Sequence, residues 1–249
     1  MAVLAAWLWW RAADAPCETR SFEGDAFTVC AFEPAQHELA LVWADAEGQA
    51  LGGFAALGER GGIDAKHVLF AMNAGMFDTS GAPIGLFVAG GVETHPINTK
   101  SGEGNFYLLP NGVFLVSAQG KVHVETTDRY GARAGGPPAL ATQSGPMLVI
   151  DGQLHPAFQP DGESRHVRNG VGVASPDRAL FVISEAPVSF GKLARFFRDV
   201  LKCDNALYLD GAVSSLWEPA TFRRDDEHRL GPMVVVSRRQ PSRPTFASH

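Results

Sequence analysis

Apolar residues in this chain gather in short runs rather than long stripes. The first are Phe27–Phe32, Leu39–Trp43, Val68–Met72, Ile84–Val88, Phe106–Leu109 and Val113–Val116. Val122–Glu125, Met147–Ile150, Ala179–Ile183, Ala206–Leu209 and Met233–Val236 follow. Gly, Pro, Asn or Asp bounds each run, which is the punctuation of strands. Pro110-Asn111-Gly112 lies between two runs and predicts a hairpin, and Ile150-Asp151-Gly152 predicts a second turn. One segment has helical spacing: Phe190, Leu193, Ala194, Phe197, Val200 and Leu201 share a face, with Ser189 placed to cap it. Lys192, Arg195, Arg198 and Asp199 fall elsewhere on that helix. A shorter helix is expected over Gly53–Gly58. No repeat or long linker divides the chain. The pattern predicts an α+β fold: one strand-dominated domain with a mixed or antiparallel sheet and few helices.

The chain has 249 residues, 45% of them hydrophobic, which is enough for a substantial core. Charged residues make up 19% and the formal net charge is −6, which argues against a whole-surface grip on nucleic acid. No apolar run reaches the ~18 residues of a membrane span. Ala2–Trp10 is continuously apolar and Ala13-Asp14-Ala15 follows it, as in a secretory signal with its cleavage site. A basic start is missing, because Arg11 lies on the wrong side. Three readings stand: an export signal, giving a periplasmic or secreted protein; a buried first strand or helix, as in a cytoplasmic one; or a terminus that differs from the native start. The expected boundaries are a signal or apolar segment over 1–16, one domain over 17–237 and a loose polar tail over 238–249.

Cys17 and Cys30 flank Phe22-Glu23-Gly24-Asp25. Two strands meeting at that turn would place the cysteines opposite each other, within disulfide reach. The other reading is a pair of small buried hydrophobes. The disulfide is the expectation, and it agrees with export. Cys203 is left as a buried thiol.

The chain has no G-x-S-x-G elbow, no phosphate-binding G-x-x-x-x-G-K-[ST] loop and no H-E-x-x-H or paired C-x-x-C motif. No cofactor is required by any motif, and dependence on a metal is left open. Four polar clusters remain beside apolar strands. Asn73-Ala74-Gly75-Met76-Phe77 ends one strand; Gln143-Ser144-Gly145 offers a hydroxyl and backbone amides at a turn. Arg165 and Arg168 precede a glycine-flanked strand, where a guanidinium can enter a cleft or simply face water. Leu207-Tyr208-Leu209-Asp210-Gly211 delivers one carboxylate at the mouth of a buried strand, a place suited to a base or nucleophile. Together these clusters suit an anionic, hydroxyl-rich ligand.

The ordered motifs N-A-G-M-F, P-I-G-L, G-N-F-x-L-x-P-N-G-V-F, S-G-P-M, R-N-G-V-G and L-D-G-x-x-S-S resemble those of the phosphodiester glycosidase family. The resemblance runs from about Cys17 to Val236. It implies a hydrolase that cuts the bond between a sugar anomeric carbon and a phosphodiester oxygen, with a phosphorylated sugar or glycan as its partner. Carried over by motif, the site comprises Asn73, Gly75, Phe77, Ser144, Gly145, Arg168, Gly172, Asp210, Gly211 and Ser214. Arg165 joins by proximity alone. Ala212 departs from the family, which commonly has a second glycine there. In this reading Arg168 binds phosphate through its planar fork and Asp210 supports the cationic anomeric centre. Glu185, after the Ala179–Ile183 run, is either a second carboxylate or an acid placed near the helix start. The competing readings are a non-catalytic binder of phosphorylated glycans and a phosphodiesterase that cuts the P–O bond.

Overall fold

The computed structural model describes residues 16–134 and 136–239. The expected signal segment lies outside the described residues except for Pro16, as do tail residues 240–249. The domain is strand-dominated and built from three sheets in which every pairing is antiparallel. The largest has seven strands in the order Cys17–Phe22, Asp25–Phe32, Arg178–Ser184, Asn169–Ser175, Asn205–Tyr208, Met147–Ile150, Gln153–Leu154. A second has the order Arg223–Arg224, Leu216–Glu218, Val68–Asn73, Met233–Arg238, His37–Val42. The third has the order Val92–His95, Phe87–Ala89, Leu140–Ser144, Gly112–Val116, Val122–Thr126.

Alternation along the strands decides what the sheets bury. Cys30, Phe32, Phe70, Met72, Phe87, Phe114, Phe181 and Val234, drawn from all three sheets, meet in one core. The opposite face of the seven-stranded sheet carries Phe27, Val29, Val182 and Ala206, and it packs on the helix Phe190–Arg195 with its π-helical continuation Phe196–Val200. Ser189 caps that helix as expected, accepting from the Lys192 amide. Lys192 itself is buried, and its ammonium reaches back to Asp25 at 2.7 Å.

The first turn is the expected hairpin. Phe22 pairs with Asp25 around Glu23 and Gly24, both at positive φ, and Cys17 stands opposite Cys30 in a disulfide. The expected strand at Phe106–Leu109 is not formed. Asn105–Tyr107 is a 3₁₀ turn instead, because the Asn111 side chain donates to Phe106 O at 2.9 Å and ties up that carbonyl. Pro110-Asn111-Gly112 therefore does not make a hairpin; Gly112–Val116 pairs with Leu140–Ser144 and Val122–Thr126. The short helix is found at Ala56–Glu59. Cys203 is a buried free thiol.

Candidate functional site

Strand ends from all three sheets meet at one buried polar cluster. Asn73 ends a central strand of the second sheet, and Asn169 begins a central strand of the first; neither side chain touches solvent. Asn169 Nδ2 donates to Asn73 O and Oδ1, both at 2.9 Å. Asn73 Nδ2 donates to Asp210 O at 2.9 Å, and its Oδ1 accepts from Ser215 N at 2.9 Å. Asn169 Oδ1 accepts from Asp210 N at 3.1 Å and from Ser214 Oγ at 3.4 Å. From the third sheet, Ser144 Oγ donates to Leu209 O. Two buried carboxamides thus hold the backbone of Asp210 by both its N–H and its C=O. Buried amides need such partners, and satisfying them fixes the turn in one conformation.

Asp210 follows the strand Asn205–Tyr208. Its carboxylate accepts from Ala212 N at 3.1 Å, and no cationic side chain pairs with it among the described residues. Burial penalises the charged form and pushes this acid up to about 6, against the smaller opposing effect of the Ala212 amide. The group therefore changes charge within the pH range where an enzyme acid, base or nucleophile works.

Arg168 is the complementary case. Its residue is 1% exposed. Nε donates to Val188 O at 2.9 Å, and Nη2 donates to Ser164 O at 3.0 Å and Ser164 Oγ at 3.2 Å. Nη1 donates to Tyr208 Oη at 3.2 Å. The Phe190 ring lies over the guanidinium, with Cζ 3.6 Å from its centroid. Every partner is a neutral oxygen. Burial lowers the Arg168 pKa, and Tyr208 opposes that effect. Taking such a charge out of water costs several kcal/mol, and neutral acceptors offset only part of that. Tyr208 meets Arg168 through its hydroxyl and lies against the residue after Asp210. Its hydroxyl lies so close to Gly211 that a Cβ there would overlap it, which requires glycine directly after Asp210.

The remaining expected residues are distributed around this centre. Gly75 lies against Thr142, whose hydroxyl donates to Ala74 O at 3.0 Å. Phe77 bridges to Pro83 and packs where Gly231 has no side chain. Gly145 precedes a cis proline and fits between Asn111 and Phe106 O. Gly172 faces Phe197 and Cys203, which fill the space a side chain would need. Arg165 is exposed and follows Ser164, the residue that holds Arg168. Glu185 is exposed and committed: its Oε1 accepts from Thr28 Oγ1 at 2.6 Å and from Arg223 Nη1 at 2.7 Å. Arg223 in turn donates to Asp225. Among the described residues no group of three or more His, Cys, Asp or Glu side chains is arranged to hold a metal ion, and no helix is long and apolar enough to cross a membrane.

Sequence reasoning passed over Asn169 and Tyr208. Asn169 was hidden inside R-N-G-V-G, read there for its arginine and glycines. For Tyr208 a signal existed: it precedes Asp210 by two positions in an extended segment, so both side chains leave on one face.

The family model for phosphodiester glycosidases matches residues 66–237. Over 193 residues the chain is 35% identical to the uncharacterized protein YigE of Escherichia coli (strain K12), covering 77% of this chain and 73% of that protein. Among solved structures it resembles the catalytic domain of zebrafish N-acetylglucosamine-1-phosphodiester alpha-N-acetylglucosaminidase, auto-inhibited by its pro-peptide. That match has a TM-score of 0.60 and 13% identity and covers 90% of this chain and 82% of the zebrafish one. A hypothetical protein from Synechocystis matches with a TM-score of 0.52 and 15% identity, over 90% of this chain and 61% of that one.

Proposed function

The chain belongs to the phosphodiester glycosidase family, and from that premise we propose that it hydrolyses the glycosidic C–O bond of sugar-1-phosphodiesters. The observation that carries this reading is two buried groups with no counter-charge beside them, Asp210 on its turn and Arg168 against Tyr208 two residues before it. As the glycosidic C–O bond breaks, positive charge develops at the anomeric carbon and the bonding electrons leave with the phosphate, which gains a second negative charge; water then bonds to the anomeric carbon and gives up its proton. Asp210 faces the first charge and Arg168 serves the second. A phosphate departs as a stable anion, so the reaction has little need of the strong general acid that ordinary glycosidases supply with a second carboxylate. Glu185, held by Arg223 and Thr28, supports the edge of the site in this scheme. Arg165 and the amides at Gly145 and Gly211 complete the surroundings of the substrate, while Asn73 and Ser144, fully buried, hold the backbone behind it. The buried turn is maintained by Asn73 and Asn169, so Asp210 is pre-aimed before substrate arrives.

The disulfide between Cys17 and Cys30 supports an oxidising, extracytoplasmic compartment. The decisive assay supplies a sugar-1-phosphodiester in 18O-water. Label in the released sugar is the expected result. Label in the phosphate would establish a phosphodiesterase, and binding without turnover would establish a glycan-binding protein.

A further inference from the structure

Arg168 Nη1 carries two hydrogens, and one goes to Tyr208 Oη. The phenol oxygen accepts that bond and is also met by the Gly211 backbone amide, so it must point its own hydrogen elsewhere. Among the described residues no acceptor meets either the second Nη1 hydrogen or the phenol hydrogen. Both residues are 1% exposed, so water does not serve them freely. Two adjacent buried donors, one cationic, both lack an acceptor beside the Asp210 turn. Leaving such donors unmet is costly, and an anionic oxygen placed between them would satisfy both.

We propose that Tyr208 is a substrate-contacting residue, and that its hydroxyl and Arg168 Nη1 together receive one non-bridging oxygen of a phosphate group. This deepens the reading above and rests on it for the identity of the phosphate as part of a glycosyl phosphodiester. The phenol keeps its proton at working pH: burial, the largest effect, pushes it up to about 12, so it acts as a donor and not as a base. Gly211 leaves the space that the oxygen of Tyr208 requires, and Phe190 closes the guanidinium from its other side. The receptor selects for an anionic oxygen at this point of the substrate, because a neutral ether oxygen would leave the guanidinium without a counter-charge.

The test measures binding separately from turnover. Inorganic phosphate and dimethyl phosphate are titrated calorimetrically into the wild type and Tyr208→Phe, which keeps the ring and its edge contact with Phe190. Tyr208→Phe should weaken both ligands roughly ten- to a hundred-fold, as expected for one hydrogen bond to a charged group. The same factor should appear in kcat/KM on a sugar-1-phosphodiester. Unchanged binding of both ligands in a folded Tyr208→Phe protein would overturn the proposal. If that variant does not fold, difluorotyrosine placed at position 208 keeps the hydroxyl and makes it a stronger donor. Phosphate should then bind more tightly than to the wild type, and equal or weaker binding would overturn the proposal. Phosphate binding that depends on Tyr208 in a protein that cleaves no glycosyl phosphodiester would uphold this inference while refuting the reading it deepens.

Discussion

Two arginines of this protein, Arg168 and Arg223, are held in opposite ways. Arg223 is partly exposed and lies between two carboxylates, Glu185 at 2.7 Å and Asp225 at 3.0 Å. Its charge is neutralised inside the protein. Arg168 is fully buried and has four neutral oxygens from Val188, Ser164 and Tyr208 around it. Four oxygen partners and an aromatic ring over one face offset part of the cost of burying this charge. The carboxylates show the same contrast. Glu185 is paired at the surface, whereas Asp210 is buried with a single backbone amide and is pushed up to about 6. The pair at the edge is complete without a ligand. Asp210 and Arg168 have no counter-charge of this kind among the described residues, which is what the proposed substrate would supply.

That comparison is broken most directly by removing the two acids in turn. Asp210→Asn keeps the shape and abolishes the charge, so kcat should fall by about three orders of magnitude or more, with ligand binding largely retained. Glu185→Gln should lower kcat by about tenfold or less. Steady-state kinetics on a sugar-1-phosphodiester measures both, and equal losses would remove the distinction between centre and edge.

Stability separates the arginines. Arg168→Lys loses the planar fork that serves three partners at once, and should cost about 3 kcal/mol in urea unfolding. Arg223→Lys changes a partly exposed pair and should cost about 1 kcal/mol or less.

Asp210 sharpens the contrast through pH. Its folded pKa lies above the ordinary carboxylate value, so between about 4 and 6 the native state binds more protons than the unfolded state. Its contribution to stability is therefore greatest at low pH and is lost as pH rises through about 6. Activity moves the other way: kcat/KM should rise with pH through about 6 as the carboxylate ionises, and Asp210→Asn should lack both effects. The smallest effect is expected at Ala212. Its side chain is exposed, and it is the backbone amide that meets Asp210. Ala212→Gly should alter kcat/KM by about threefold or less.

The strand pattern and the first hairpin were legible in the sequence because each rests on local signals. Cys17 and Cys30 flank a turn whose Glu23-Gly24 can take positive φ, and the observed register follows that turn. The turn at Asp151-Gly152 was readable for the same reason. The convergence of Asn73, Ser144, Arg168 and Asp210 followed from their places at strand ends and from the family motifs. What could not be read was anything decided by partners distant in sequence. The carbonyl of Phe106 is captured by Asn111, so an apolar run became a 3₁₀ turn. Lys192 falls off the apolar face of its helix, yet it is buried and its ammonium meets Asp25, 167 residues away along the chain. Asn169 owes its importance to Asn73 and Asp210, and its own neighbours in sequence carry no trace of that.

The seven-stranded sheet has a bearing on the company this protein keeps. An open sheet offers its outermost backbone groups to any passing chain. At one margin here stands Cys17–Phe22, tethered to its neighbour by the disulfide and carrying Glu18 and Arg20, whose side chains bond to each other. At the other margin Gln153–Leu154 is two residues long. Neither presents a long apolar ribbon, and a tethered margin cannot peel away to make one. At these two margins the sheet is guarded against polymerising strand by strand.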